Sequence, residues 1–259
     1  MALRSIWNGT LAFGLVKVPV KLYSATEAKT IRFREVHLKD GARLEHRRVC
    51  EAEDETVPFN EVVKGYEVTP GEYVVLDKDE IRAAAGDRGK LLEMDEFVTA
   101  ASIDPLFFER TYFLGPRDEG EPYELLRRAL SKCGLAGIGR FSMRGREYLA
   151  AVRARDEGLV LHTLKFHDEI VAPADLDIPR PAEEPGSREL KMAAALISGL
   201  TEEFDPDAWK DRHRDAVMEV IEAKAKGRKP KRERKRREEP SDDLAAALEA
   251  SLAGQGAGR

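Results

Sequence analysis

Forty-three lysines and arginines, five histidines and two cysteines carry most of the chemistry open to this chain, and their spacing decides which kind. His37, His46, His162, His167 and His213 are scattered, and with Cys50 and Cys133 they form no ligand pair at zinc spacing. Glu53 stands where a second cysteine would complete a Cys-x-x-Cys pair with Cys50. The stretch Gly86-Asp87-Arg88-Gly89-Lys90-Leu91 has a Gly-Lys step. It lacks the earlier glycine spacing and the Ser or Thr that a phosphate loop needs to hold magnesium. Gly134, Gly137 and Gly139 lead into a strand pattern and open no helix, which is wrong for dinucleotide binding. The residues thus assign no catalytic group, no metal site, no cofactor and no small-molecule ligand, and each histidine reads as structural or surface.

What remains is non-covalent: cationic side chains that can meet phosphate. Arg32, Arg34, Lys39, Arg43, Arg47 and Arg48 surround the Lys39-Asp40-Gly41 turn signal. In a strand, Arg43 and Arg47 share a face at period two and Arg48 points to the other. Lys17 and Lys21 share the polar face of an early strand, and Arg144 and Arg146 flank a tight turn as weaker candidates. A third group is the run Lys229, Lys231, Arg232, Arg234, Lys235, Arg236 and Arg237. Contacts of this kind carry affinity without reading sequence. The competing reading for each is a solvated surface charge.

Charge is unevenly placed along the 259 residues. The net charge of −5 divides into +6 over residues 1–50, −16 over 51–223, +7 over 224–239 and −2 over 240–259. A basic head and tail around an acidic middle suggest a polyanionic partner met by particular surfaces. No apolar run approaches the ~20 residues of a membrane span, and the opening lacks the pattern of a signal peptide. Two cysteines make no disulfide framework, which fits a reducing cytoplasmic setting.

The elements that must hold these groups are mostly short strands. Val16, Val18, Val20 and Leu22 alternate with Lys17, Pro19, Lys21 and Tyr23, so one face is apolar; Pro19 predicts an edge or barrel-rim position. Gly9 and Gly14 mark turns or bulges. Thr30 to Cys50 reads as a hairpin about Asp40-Gly41, followed by an acidic loop over Glu51 to Thr56. A short helical piece over Asn60 to Lys64, ended by Gly65, precedes paired strands at 66–68 and 73–76. Asp79 to Ala85 reads as a helix and Lys90 to Phe97 as a strand, with β-type residues again at 107–114. Pro122 opens a helix to Cys133, with Leu125, Leu126 and Leu130 on one face and Gly134 ending it. Three more strands, 138–143, 149–152 and 159–166, complete a barrel or sandwich pattern. After Pro173 the chain turns proline-rich. Ser187 is placed to cap a helix carrying Leu190, Ala194, Ile197 and Leu200, and Asp205-Pro206 starts another with Trp209, His213, Val217, Val220 and Ile221 on its apolar side. The charge block after Gly227 lacks apolar content and reads as disordered. Leu244, Ala247, Leu248 and Leu252 recur at helical spacing beyond it.

The order of residues says more. Trp7-x-Gly9-x-Leu11-x-Phe13-Gly14-Leu15-Val16-x-Val18-Pro19-Val20-Lys21-Leu22-Tyr23 resembles the opening of the bacterial Ku family, the DNA-end-binding proteins of non-homologous end joining. The likeness continues through Phe33, His37, Arg48-Val49-Cys50, Lys64-Gly65-Tyr66 and Tyr73-Val74-Val75-Leu76. It resumes at Asp104-Pro105, Phe108-Glu109, Tyr112, Glu189-Leu190-Lys191-Met192-Ala193 and Phe204-Asp205-Pro206.

The resemblance implies a Ku-type fold, mainly β with α: a β-barrel core over residues 1–172 with a bridging hairpin region at about 35–76. A connector and helical dimerisation arm (173–226), a basic linker (227–240) and a short ligase-recruiting segment (241–259) would follow. It further implies a homodimeric ring, without enzymatic activity, that threads onto double-stranded DNA ends and recruits ATP-dependent ligase D. Leu244, Leu248 and Leu252 would dock that partner as a helix in a groove. Two readings compete with it. One is an end-processing enzyme such as an abasic-site lyase, since an accessible lysine amine near DNA could attempt that chemistry. The other is a DNA-coating protein that uses only its basic tail and shows no preference for ends.

Overall fold

A computed structural model of the chain describes residues 4–84, 90–118, 120–179, 184, 186–229, 247–248 and 251. It divides into two compact units, the first formed by residues 1–29 and 33–175, the second by 30–32 and 176–259.

The first unit is built on a closed barrel of seven strands. These are β1 (Trp7–Phe13), β2 (Val16–Ser24), β5 (Leu91–Thr99), β6 (Phe108–Pro116), β7 (Leu135–Met143), β8 (Arg146–Arg155) and β9 (Gly158–Leu164). The order around the barrel is β1-β2-β6-β9-β8-β7-β5, and the circle closes where β1 meets β5. That pairing is parallel, Thr10 opposite Leu91 and Leu11 opposite Leu92, whereas every other barrel pairing is antiparallel. Strands β3 (Lys64–Thr69) and β4 (Glu72–Leu76) form a separate two-stranded ribbon. A short helix, α1 (Lys78–Ala84), follows it.

Alternation along β2 fills the core as its sequence requires. Val18, Val20 and Leu22 are buried, and Leu11, Leu92, Phe141, Val152, Leu159 and Leu161 meet them from the other strands. Of the two positions that Pro19 allows, it takes the rim and not an edge: β2 lies between β1 and β6. The even-numbered residues of β2 bond toward β1, as Leu22 does in accepting from the Ile6 N–H. Pro19 therefore turns its nitrogen toward β6, whose pairing begins only at Val20–Pro116. The missing donor costs nothing where no strand lies opposite, and the Pro19 carbonyl accepts from the Arg117 N–H just beyond.

Helix α2 (Glu121–Cys133) closes one end of the barrel. Pro122 lies in its first turn, and Gly134 ends it at φ 65°, the left-handed conformation in which glycine is favoured. Its buried face is Tyr123, Leu126 and Leu130; Leu125 instead faces outward at 63% exposure, because it stands one position off the buried stripe. The Tyr123 hydroxyl donates to the Leu114 carbonyl of β6 (2.6 Å) and accepts from the Leu159 N–H of β9 (2.8 Å), tying two strands to the plug.

Several local expectations change. Thr30 to Cys50 forms no hairpin ladder; its turn is closed by a single bridge, Val36 to Arg43, and a second bridge, Val49 to Thr56, closes the acidic loop. Both flanks are exposed, so no core rewards a longer pairing. The helical piece near 60 is one 3-10 turn, Phe59–Glu61, and Gly65 belongs to β3 opposite Val75.

The second unit contains α3 (Ser187–Gly199) and α4 (Arg212–Ala225). Gly186, not Ser187, holds the cap position of α3. Asp205-Pro206 starts only a 3-10 turn, while Asp211 caps α4 by accepting from the Arg214 N–H. Trp209 consequently lies before α4, 77% exposed.

Candidate nucleic-acid interface

The basic residues around the Asp40-Gly41 turn are held by a few local bonds. The His37 N–H donates to the Ala42 carbonyl, and the Leu44 N–H to that of Glu35. The Asp40 carboxylate accepts from the Ala42 N–H (2.9 Å) and lies 3.2 Å from His37 Nδ1. These bonds, the backbone one first, hold its carboxyl below the ordinary range. Gly41, at φ 70°, supplies the left-handed residue that the turn needs.

The candidate cations on this segment are exposed but not equally free. Arg47 lies 3.5 Å from Glu45, a solvent-exposed pair. Arg48 stands over the Phe59 ring, 5.1 Å from its centre. Arg34 and Arg43 have no carboxylate partner among the described residues. Since residues 44–48 form no strand, the period-two argument for Arg43 and Arg47 has nothing to act on; their placement follows the loop instead. Arg32 is exposed and belongs to the second unit.

Lys17 and Lys21 stand on the face of β2 away from the core, Lys17 exposed and Lys21 half-buried. In the tail, Lys229 is exposed, and Leu248 is half-buried within a helical stretch. Lys231, Arg232, Arg234, Lys235, Arg236, Arg237, Leu244 and Leu252 lie outside the described residues.

The β3–β4 ribbon sits beside these loops in sequence and is unusual in its exposure. Its register places Tyr66 opposite Val74 and Glu67 opposite Tyr73, so apolar side chains occur on both faces. Every residue of both strands is exposed, Tyr66 to 67% and Tyr73 to 60%. A two-stranded ribbon is marginal in water without a surface to cover it, and this one has apolar side chains in solvent on either side.

Among the described residues, no three His, Cys, Asp or Glu side chains come together so as to hold a metal. His162 is buried for structural reasons: its Nδ1 lies 3.0 Å from Thr111 Oγ1, its Nε2 accepts from Arg153 Nε at 3.0 Å, and Phe108 packs edge-on to it. Burial, then the charges of Arg153 and Arg155, lower its pKa to about 4. No described helix is long and apolar enough to cross a membrane.

Elsewhere on the barrel most arginines are matched: Arg140 with Asp95 (3.4 Å), Arg146 with Glu169 (3.3 Å), and Arg127 and Arg128 with Glu124 (2.8 and 2.6 Å). The two arginines bonded to Glu124 bring its pKa down to about 2. Arg110, on β6, is an unmatched arginine that spacing did not single out. It stands beside Glu109 in an otherwise β-type stretch, and no periodicity marks it.

A family model described as the Ku70/Ku80 β-barrel domain matches residues 12–192. A non-homologous end joining protein Ku from Anaeromyxobacter sp. (strain K) is 44% identical over 226 residues, which cover 86% of this chain and 76% of that protein. Non-homologous end joining protein Ku 2 of Saccharopolyspora erythraea is 39% identical over 259 residues, 96% of this chain and 83% of its own. The Mycobacterium tuberculosis (H37Rv) protein Ku is 38% identical over 260 residues, covering 96% of this chain and 95% of that one.

Proposed function

This chain belongs to the Ku family, and from that membership we propose that it binds the ends of double-stranded DNA in non-homologous end joining. It acts as a homodimer whose two copies close a ring around the duplex. Binding is through phosphate, without sequence readout and without catalysis. Residues 1–172 supply the barrel core, with 35–76 as the bridge, and 173–226 supply the helical arm to the second copy. The basic linker 227–240 adds an end-independent contact, and 241–259 recruits ATP-dependent ligase D through Leu244, Leu248 and Leu252. The work is done in the cytoplasm, at breaks in the nucleoid.

The observation that carries the ring is the β3–β4 ribbon. Tyr66, Val74 and Val75 are exposed on an element too small to stand alone, which supports a second copy as the surface that covers it. Exposed Arg43 on the same bridge and Arg34 just before it, without carboxylate partners among the described residues, support phosphate contacts there.

Competition binding tests the reading. Labelled linear duplex is challenged with equal masses of linear and covalently closed circular DNA of one sequence. A threaded ring predicts that the linear competitor is far better and that closing a bound linear molecule traps the protein. Equal competition by circles overturns the ring and leaves the basic tail as the main binding element. For the partner, deletion of 241–259 is expected to abolish stimulation of ligase D while leaving end binding intact; unchanged stimulation refutes that role.

A further inference from the structure

The two ends of the barrel differ. At one, α2 inserts Tyr123, Leu126 and Leu130. The other lies where β1 and β6 begin, β2 ends and the β7–β8 turn runs; no helix covers it, and Trp7, Phe141 and Met143 fill the core beneath it. A cleft of about 380 Å³ occupies it, lined among others by Thr26, Arg110, Tyr112, Met143, Arg144 and Tyr148. Mouths of β-barrels are recurrent ligand sites.

The chemistry of this mouth is one-sided. Two of its lining residues are arginines and none is a carboxylate. Neither Arg110 nor Arg144 has an acidic partner among the described residues, although Arg117, Arg127, Arg128, Arg140, Arg146 and Arg155 on the same barrel all do. The two arginines come from different strands. Arg110 continues the inward row of β6, Leu114 then Tyr112, to the rim; Arg144 is held at φ 56° in the β7–β8 turn. Like charges brought to one concavity with nothing to neutralise them favour an anion. Tyr148, stacked on Phe141 at 5.6 Å and covered by the Arg146 guanidinium at 5.4 Å, gives the mouth a fixed aromatic wall.

We propose that this mouth is a nucleotide-phosphate site, in which Arg110 and Arg144 hold the phosphate group and Tyr148 forms a fixed wall of the cleft. The nucleotide is either part of a DNA strand leaving the broken end or free in solution; the first source rests on the end-binding reading above, the second does not.

The test uses the full chain and an Arg110→Gln/Arg144→Gln variant. An Arg117→Gln/Arg128→Gln variant removes the same charge at the plugged end. Arg110→Lys/Arg144→Lys keeps the charge and guards against misfolding. Two measurements are made: the salt dependence of binding to linear duplex with single-stranded overhangs, and ATP binding by calorimetry. A strand phosphate predicts that the glutamine variant at the mouth lowers the salt slope by ~0.9 to 1.8, one to two phosphates, with the lysine variant retaining the slope and the plugged-end variant losing less. A free nucleotide predicts ATP binding by the native chain, weakened at least ~10-fold in the glutamine variant at the mouth, with an unchanged DNA slope; 10-fold is the loss expected for ~1.4 kcal/mol. If the mouth and plugged-end variants match in both measurements, the site is refuted. Should linear DNA still outcompete circles in that case, the end-binding reading survives on its own.

Discussion

The guanidinium of Arg48 stands 5.1 Å from the centre of the Phe59 ring, and the Arg48 carbonyl accepts from the Val57 N–H at 2.9 Å. Side chain and backbone of one residue thus close the acidic loop. Arg48 is occupied in holding this loop together, whereas Arg43 has no carboxylate partner among the described residues. Replacing Arg43 by Gln is expected to lower the salt slope of DNA binding by ~0.9 with no change in proteolysis. Phe59→Leu is expected to cost ~0.5–1 kcal/mol locally and to speed cleavage within Glu51–Thr56. Limited proteolysis beside a salt titration reads both.

Deletion of residues 227–259 removes the basic run and should flatten the salt dependence further, by ~0.9 for each phosphate it neutralises. Preference for linear over circular DNA should persist. A slope equal to that of the full chain would exclude the tail from DNA contact.

Tyr123→Phe keeps the ring in the plug but removes the hydroxyl that joins the Leu114 carbonyl to the Leu159 N–H. Both backbone groups lose a buried partner, and the expected loss is ~2–3 kcal/mol in urea unfolding. A loss under ~0.5 kcal/mol would mean that water replaces the hydroxyl.

Gly139→Ala places a methyl group against the Glu93 carbonyl, where β5 shifts register between Met94 and Glu96. The obstacle is backbone and cannot rotate away. The expected cost is ~3 kcal/mol, measured as a lower urea midpoint. Ala at Gly41, where no atom lies within 4 Å, should cost only the ~1 kcal/mol of its left-handed backbone.

His162 sets a pH window. Its folded pKa, about 4, lies below its ordinary 6.5, so the unfolded chain binds the extra proton first. The neutral ring's stabilisation is complete above pH 6.5 and is lost as pH falls through 4. Protonation would turn Nε2 into a second donor facing the Arg153 N–H. Discounted for partial exposure, the loss is on the order of 1 kcal/mol. Unfolding curves at pH 7, 5.5 and 4.5 should diverge for the native chain and run closer together for His162→Gln.

Strands with period-two alternation were legible because local pattern and burial agree: Val18, Val20 and Leu22 in β2 are the clearest case. The barrel class was legible for the same reason, from many short strands and firm turn signals. Closure of β1 on β5 was not, since no local feature encodes a pairing about eighty residues away. Turn chemistry misled at Thr30 to Cys50, where Asp40-Gly41 makes the turn but no core lies beneath its flanks. Charge located the candidate cations, yet which are matched depends on distant partners such as Asp95 for Arg140 and Glu169 for Arg146. Arg110 was invisible for that reason, being defined by the barrel mouth and not by its neighbours in sequence.

The barrel's strand order also fixes a timetable for synthesis. β1 and β2 are made first and pair at once, but their outer neighbours are β5 and β6, and the circle is complete only when β9 has joined β6 and β8. Roughly 140 residues separate the end of β2 from the end of β9, which at ~5–20 residues per second is about 7–30 s of elongation. Until β5 and β6 are made, roughly 75 and 90 residues after β2 ends, the nascent hairpin carries two unpaired edges and a bare apolar face, and the barrel stays open for the whole interval. A chain of this topology therefore folds late on the ribosome, and holdase chaperones are expected to meet it there.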